Sequence, residues 1–299
     1  MLSHVESLTG YCKTHSYEQS CLEDCGDWLG CCCLDGEVFG MLRVVITFVF
    51  ALMLSATAWA GNWNSGSSSS NKITRGNFGD FTRSLNNKKY GYEVINDFTG
   101  TAPTTKIEKF EVRPGDCSAD IGKWSDCKND RERSELSGEK DNYSGSEHWY
   151  GWSIYVPVEY PNIYPTKTAL GQFHQKDGPP AFMFQNYAGG YWIDRNFGLT
   201  SHKKQIIANK DFKGKWHQIE VNAKWHTVDG FFIVYVNGDE AWRFEGQTIS
   251  TSAVFFKYGV YRSFMVRYKN SKGVKLVPAQ TVYFANVKRA KTRDALKPT

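Results

Sequence analysis

Three segments of the sequence, residues 131–136, 171–175 and 255–262, carry reactive side chains at alternate positions. Side chains two positions apart on a β-strand point to the same face of a sheet. If the segments are strands, the residues that share a face are Arg131, Arg133 and Glu135, then Gln172 and His174, then Lys257, Gly259 and Tyr261. Each set alone is also typical of an ordinary solvated or hydrogen-bonded strand face. Together they supply a guanidinium, an amide, an imidazole and a phenol, which suits one kind of proton-transfer chemistry.

That chemistry is the β-elimination of a sugar acid linked through its O4 atom. The C5 proton of such a uronate is only weakly acidic, because the neighbouring carboxylate is already negative and abstraction adds further charge. The reaction needs neutralisation of the carboxylate, a base at C5 and an acid for the departing O4. We assign the neutralisation to Arg133 and Gln172, and the two proton transfers to His174 and Tyr261.

Tyr261 can be a base only if positive neighbours lower the pKa of its hydroxyl, which is normally about 10. Lys257 shares its predicted face, and Arg133 lies across the predicted cleft, so we expect both to lower that pKa. In a syn elimination Tyr261 alone could serve both proton transfers, and His174 would then polarise the substrate or assist.

The order of the motifs R-S-E-L, Q-F-H and F-F-K-Y-G-V-Y resembles the three signature strands of β-jelly-roll polysaccharide lyases. The resemblance spans residues 75 to 290, which is nearly all of the expected mature chain. It implies that Arg133, Gln172, His174 and Tyr261 are the catalytic residues of a lyase that acts on a 4-linked uronate polymer.

Departures from the alginate lyase pattern bear on the substrate. Tyr258 replaces an alanine, and Arg262-Ser263 replaces Asn-Gln. The chain is in this respect closer to the heparin lyase I and glucuronan lyase relatives, so a glucuronate-containing substrate is favoured and alginate stays open. Some of these relatives bind calcium, but no Asp-rich loop here has convincing ligand spacing. We therefore predict no metal site and no required cofactor, and a structural calcium ion stays open.

Further residues are candidates for holding the polymer along the groove. On the predicted active face they are Arg131, Glu135 and Lys257, and at outer subsites Tyr187, Arg195 and Lys203. Aromatic residues in a sandwich more often belong to the core, and isolated charges are more often simply solvated, so these assignments depend on the fold.

Aromatic and β-branched runs recur at short intervals without amphipathic helices between them. Strands are predicted at residues 148–157, 169–175, 181–187, 191–194, 205–208, 215–225, 231–236, 240–244, 254–268 and 281–288. The pair Asn237-Gly238 predicts a tight hairpin turn between two of them. This pattern predicts an all-β fold, a two-sheet antiparallel β-sandwich of the jelly-roll type.

The sequence predicts that the chain is divided into an N-terminal signal region, a single domain and a short tail. Residues 41–60 have the layout of a secretory signal peptide, with Arg43, an apolar run and the cleavage sequence Ala58-Trp59-Ala60. Residues 1–40 then come from a misassigned start; a small cysteine-rich module is the alternative. Residues 61–77 are a flexible Ser/Gly leader, 78–293 the lyase domain and 294–299 a tail. The protein is expected to be secreted, extracellular or periplasmic.

Loss of residues 1–60 leaves 34 Lys and Arg against 24 Asp and Glu, a net charge of +10. Such a charge favours an anionic partner, and the resemblance selects a polysaccharide over nucleic acid or a membrane. Only Cys117 and Cys127 remain, and in an oxidising compartment they are expected to form a disulfide. We expect a monomer.

Two other functions remain open at this stage. A lectin-like sandwich would bind sugar without any need for Arg, Gln, His and Tyr to converge. A glycoside hydrolase would need two catalytic carboxylates about 5–10 Å apart, and the sequence has no Glu-x-Asp-x-x-Glu run.

Overall fold

Strands dominate the computed structural model, which describes residues 72–86, 88–118, 124–139, 142–196 and 202–298. In chain order the strands are β1 (Ile73–Thr74), β2 (Asp80–Arg83), β3 (Tyr92–Asn96), β4 (Lys106–Val112), β5 (Arg131–Gly138), β6 (Asn142–Tyr143), β7 (Glu147–Tyr155), β8 (Lys167–Gln175), β9 (Pro180–Asn186), β10 (Tyr191–Arg195), β11 (His202–Ile207), β12 (Trp216–Lys224), β13 (Gly230–Val236), β14 (Asp239–Gly246), β15 (Ala253–Ser263) and β16 (Gln280–Ala290). The helices are α1 (Asn209–Phe212), α2 (Met265–Lys272) and 3-10 turns at Gly76–Phe78, Lys89–Gly91 and Asp294–Leu296. The predictions for residues 1–40 and 41–60 lie outside the described residues.

Antiparallel pairing joins these strands into two sheets. The nine-stranded sheet has the order β1-β2-β5-β15-β8-β9-β10-β11, with β6 also paired to β15. The seven-stranded sheet has the order β14-β13-β12-β7-β16-β4-β3. The two sheets pack face to face, so the predicted antiparallel sandwich is confirmed.

The space between the sheets is filled mainly by aromatic rings. Phe182 of β9 stacks on Phe232 of β13 with ring centroids 3.8 Å apart, which ties one sheet to the other. Phe173 and Trp225 also meet across the core at 5.1 Å. Each fully buried side chain of this size contributes about 1.5–3 kcal/mol relative to exposure, so the aromatic runs of the sequence stabilise the packing of the sheets.

Strand β15 separates the core from the opposite face of the nine-stranded sheet. Phe256, Tyr258 and Val260 are buried in the core. Because side chains alternate along a strand, Lys257 and Tyr261 point away from it, as predicted. We call this side of the nine-stranded sheet the outer face.

The Asn237-Gly238 turn is confirmed, since both residues have positive φ angles, 53° and 97°, as the favoured two-residue hairpin turn requires. The predicted strand 254–268 is wrong at its end. Strand β15 stops at Ser263, Phe264 turns the chain with φ 63°, and α2 follows.

The folded region extends further than the predicted 78–293. Strand β1 pairs with β2, and Arg75 forms an ion pair with the buried Glu108, so residues 72–77 belong to the sandwich and not to a flexible leader. At the other end Leu296 is buried and lies close to Gly151. The end of the chain is thus packed on the domain at least to Leu296.

Cys117 and Cys127 form the predicted disulfide, with their Cα atoms 5.0 Å apart. Within the described residues no helix is both long and apolar enough to cross a bilayer. Nor do three or more His, Cys, Asp or Glu side chains of that part of the chain gather as ligands for a metal ion.

Candidate active site

The three segments singled out in the sequence lie side by side as β5, β15 and β8. Tyr261 of β15 pairs with Arg133 of β5 on one side and with Ala169 of β8 on the other. Lys257 pairs with Gln172. Directly paired residues of neighbouring strands point to the same face, so these side chains converge on the outer face.

Arg133 is buried and held in a fixed orientation. Its Nε and Nη2 atoms donate hydrogen bonds of 2.6 Å to the two carboxylate oxygens of Asp126. Its Nη1 atom donates to Ser84 Oγ at 3.2 Å, and its guanidinium lies 4.3 Å from the centre of the Tyr261 ring. Burial alone would lower the pKa of Arg133, but the Asp126 hydrogen bonds and the Glu135 charge raise it above its usual range. The guanidinium is therefore a permanent cation beside Tyr261.

Glu135 lies between Arg133, Lys257 and Gln172 and contacts all of them. Its carboxylate accepts hydrogen bonds from Lys257 Nζ at 2.7 Å and Gln172 Nε2 at 2.5 Å, and lies 3.4 Å from Arg133 Nη1. Burial would raise the pKa of Glu135, but the charges of Lys257 and Arg133 lower it below its usual value. The ionised Glu135 thus orients the amide and both cations instead of taking part in proton transfer.

Part of the hydrogen-bonding capacity of Gln172 is not used by the residues that the structure describes. An amide has two N–H donors and a carbonyl oxygen. Glu135 takes one N–H, and the buried Gln172 Oε1 atom has no hydrogen-bond partner among the described residues. A buried polar atom without a partner is unfavourable, so a substrate hydroxyl that reached it would gain a hydrogen bond.

His174 is half-buried, and its hydrogen-bond partner indicates its tautomer. Its Nδ1 atom lies 2.8 Å from the carbonyl oxygen of Gln175. A carbonyl only accepts, so Nδ1 carries the hydrogen and Nε2 of the neutral ring keeps its lone pair. Burial and the charge of Lys257 lower the pKa of His174 below 6.5. At neutral pH the ring is therefore an uncharged base.

The expected lowering of the Tyr261 pKa is wrong for the free protein. Burial raises the pKa of Tyr261 above its usual 10.0, and the charges of Arg133 and Arg131 offset only part of that shift. The positive field of Arg133 is itself reduced by Asp126 and Glu135, which contact it directly. Tyr261 consequently carries its proton at neutral pH and is ready to donate it, while His174 is ready to accept one.

Two of the predicted outer contacts lie together on the outer face. Lys203 Nζ lies 4.1 Å from the centre of the Tyr187 ring, and Tyr187 contacts Trp192 edge-on at 5.9 Å. Asp194, which pairs with Lys203 across β10 and β11, is 3.9 Å from its ammonium. An aromatic surface beside a cation suits the apolar face and the charged group of a sugar acid.

Arg195 is not part of the site. It shares the inner face of β10 with Tyr191 and Ile193, both of which are in the core. Its guanidinium is buried over the Phe244 ring and donates to the carbonyl oxygen of Gln247 at 3.2 Å. The predicted substrate contact is therefore wrong, because Arg195 points between the sheets.

Residues that sequence reasoning missed complete the outer face. Asp126 comes from a loop, and no spacing signal connects it to Arg133. Lys167, at the start of β8, pairs with Ser263 of β15, which lies between it and Arg131 of β5.

The sandwich is similar in fold to several solved structures. The endo-β-1,4-glucuronan lyase of the fungus Trichoderma reesei superposes with a TM-score of 0.53 at 15% identity, over 72% of this chain and 94% of that one. An alginate lyase, A1-II′ of polysaccharide lyase family 7, gives a TM-score of 0.47 at 14% identity, over 69% of this chain and 85% of that one. The alginate lyase AlyA1 of Zobellia galactanivorans gives 0.42 at 14% identity, over 62% of this chain and 78% of that one.

No curated protein sequence matches the chain. The jelly-roll fold expected from the sequence is confirmed. The model of the family described as "Polysaccharide lyase" matches residues 63–288. This match covers most of the chain, which therefore belongs to the polysaccharide lyase family.

Proposed function

We propose that this polysaccharide lyase is secreted and cleaves a 4-linked, glucuronate-containing polymer by β-elimination, leaving an unsaturated uronate at the new end. The observation that carries the proposal is that His174, Tyr261, Arg133 and Gln172 all lie on one face of the same sheet. The likeness to a glucuronan lyase structure supports glucuronate over other uronates, with alginate and heparin-like polymers as the alternatives.

The proposed reaction starts with the uronate carboxylate next to Arg133 and the remaining N–H of Gln172. These donors stabilise the charge that develops when the C5 proton leaves. His174 Nε2 takes that proton, the C5–H electrons form the C4=C5 double bond, and the C4–O4 bond breaks. Tyr261 gives its proton to O4. The tyrosinate then regains a proton from the imidazolium, directly or through solvent, and both groups return to their starting forms.

The stereochemistry of glucuronate sets a requirement for this arrangement. Its C5 hydrogen and its O4 lie on the same side of the sugar ring, so base and acid must reach the same side. His174 and Tyr261 belong to neighbouring strands and the same outer face. In the variant of the mechanism where Tyr261 serves both transfers, it must first lose its proton, which its raised pKa disfavours.

The carboxylates of the cluster argue against a glycoside hydrolase. Hydrolysis needs one carboxylate as acid and one as base or nucleophile. Asp126 and Glu135 are both buried and bound to Arg133, so both are already engaged with a cation. A lectin would bind sugar without needing Arg, Gln, His and Tyr side chains on one face of the sheet.

The test is a panel of glucuronan, heparin, alginate and hyaluronan, followed by the ultraviolet absorbance of the conjugated double bond. We expect the largest rate on glucuronan. New reducing ends without that absorbance would indicate hydrolysis, and binding without any product would indicate a lectin. Recovery of the protein outside the cell with its N-terminus near Gly61 would support secretion.

A further inference from the structure

Next to the row formed by Arg133, Tyr261 and Ala169 lies a second row on the outer face. Strand pairing places Arg131 opposite Ser263, and Ser263 opposite Lys167. With a rise of about 3.3 Å per residue, this row is roughly 7 Å further along the strands. The charged group of a sugar next to the one bound over Tyr261 can reach across that distance.

Phe264 brings two guanidinium groups to this row. Arg131 stacks on its ring at 3.9 Å and Arg267, from the first turn of α2, stacks at 4.2 Å. Phe264 itself has a left-handed backbone, with φ 63° and ψ 48°. Such a conformation is strained for a bulky residue and persists where surrounding contacts hold it. Here its backbone N–H donates to Asp130 and its carbonyl accepts from Thr166.

Lys167 is the third cation of this group. It is half-buried, and its ammonium has no ion pair with any residue that the structure describes. Burial lowers the pKa of Lys167, Asp194 opposes this, and the charges of Lys203, Arg267 and Arg131 lower it further. The basic cluster of Arg131, Lys167 and Arg267 therefore gathers like charges at one place.

The carboxylates near the basic cluster are bound elsewhere. Asp130 Oδ2 accepts from the Val266 N–H at 3.0 Å. Asp194 accepts from Gln185 Nε2 at 3.0 Å and lies 3.9 Å from Lys203. Asp194 offsets part of the charge on Lys167, but with both carboxylates already engaged the three cations leave an excess of positive charge that a bound anion would stabilise.

We propose that Arg131, Lys167 and Arg267 form an anion subsite for the sugar next to the one that is cleaved. The inference rests on the proposed function and deepens it. The favoured substrate then carries an oxyanion on consecutive sugars, a carboxylate in a homopolymer of uronate or a sulfate in a heparin-like chain. A polymer that carries a charge on only every second sugar would place no anion in this subsite.

The experiment measures binding of glucuronan and heparin oligosaccharides by calorimetry in a Tyr261→Phe background, where turnover does not interfere. Lys167→Gln and Arg267→Gln are compared with Lys204→Gln, an exposed lysine on the other face of β11 that pairs with Ile193. We expect each of the first two to weaken glucuronan binding about tenfold and Lys204→Gln to leave it unchanged. Because Arg267 is exposed, its variant tests the subsite without disturbing the fold.

If Lys167→Gln and Arg267→Gln weaken the binding of glucuronan but not of heparin, the subsite takes a carboxylate. If they weaken the binding of heparin but not of glucuronan, it takes a sulfate. Equal affinity of all three variants for both polymers would overturn the inference. The proposed function is tested separately by product formation in the otherwise unchanged protein. An active lyase whose KM on glucuronan is the same with Lys167→Gln as with Lys204→Gln would keep the function and remove the subsite.

Discussion

Asp126 binds the guanidinium of Arg133 through two hydrogen bonds of 2.6 Å, one to each carboxylate oxygen. Such a two-point contact fixes the plane of the guanidinium as well as its position. Asp126 is fully buried and immediately precedes Cys127 of the disulfide. The orientation of the Arg133 guanidinium on its strand thus depends on a loop that a covalent bond anchors.

Asp126→Asn should lower kcat on the best polymer by about a hundredfold, because a misplacement of about 1 Å costs that much. It should also destabilise the fold by roughly 3–5 kcal/mol, since a buried cation loses its charged partner. Steady-state kinetics and thermal unfolding measure both effects. Asp229→Asn, at an exposed ion pair with Lys224, is the control, and a wild-type kcat in Asp126→Asn would remove the positioning role.

Tyr261→Phe should lower kcat by about a thousandfold, as expected when a general acid is lost, with little change in polymer affinity. The ring and its contact with Arg133 remain, so the fold should be stable. Tyr143→Phe, at an exposed position on β6, tests whether loss of any tyrosine hydroxyl has this effect. Substantial turnover by Tyr261→Phe would mean that another group protonates O4.

Replacement of both Cys117 and Cys127 by serine should lower the free energy of unfolding by about 2–4 kcal/mol. Because the Asp126 loop is then held less firmly, kcat should fall as well. Combining this change with Asp126→Asn separates the two effects, since residues that act through one contact give non-additive losses. Fully additive losses in kcat would show that the disulfide does not act through Asp126.

The outer face could be predicted where alternation is strict. Along β15 every second residue enters an apolar core, so the sequence itself distinguishes Tyr261 from Tyr258. The same parity could have excluded Arg195, which shares its face with Tyr191 and Ile193.

Lys167 escaped prediction for a physical reason. Counting back in steps of two from His174 and Gln172 would place Lys167 in the core. A register shift between Ala169 and Gly171 reverses the parity, as a bulge does, and turns Lys167 outward.

Loop and burial effects could not be predicted either. Asp126 reaches Arg133 from outside any periodic segment, so its role depends on tertiary structure. The pKa of Tyr261 depends on how far burial outweighs nearby cations, and a list of neighbours along a strand does not contain that balance.

The pH dependence of kcat/KM tests the assignment of base and acid together. His174 must be neutral to accept the C5 proton, so activity should fall as the pH drops through its pKa, which burial and Lys257 lower below 6.5. Tyr261 must be protonated to donate, so activity should fall as the pH rises through its pKa, which burial raises above 10.0. The plateau between the two limbs should therefore be broad and include neutral pH.

The Lys257→Met variant tests the acidic limb of the pH profile separately from the alkaline limb. It removes the charge that disfavours protonation of His174, so that limb should move to higher pH while the alkaline limb, set by Tyr261, stays nearly in place. Unfolding curves at each pH separate this shift from loss of structure, since Lys257 is buried against Glu135. An activity maximum confined to strongly alkaline pH would contradict the assignment, because it would require tyrosinate as the base and leave His174 without a proton-transfer role.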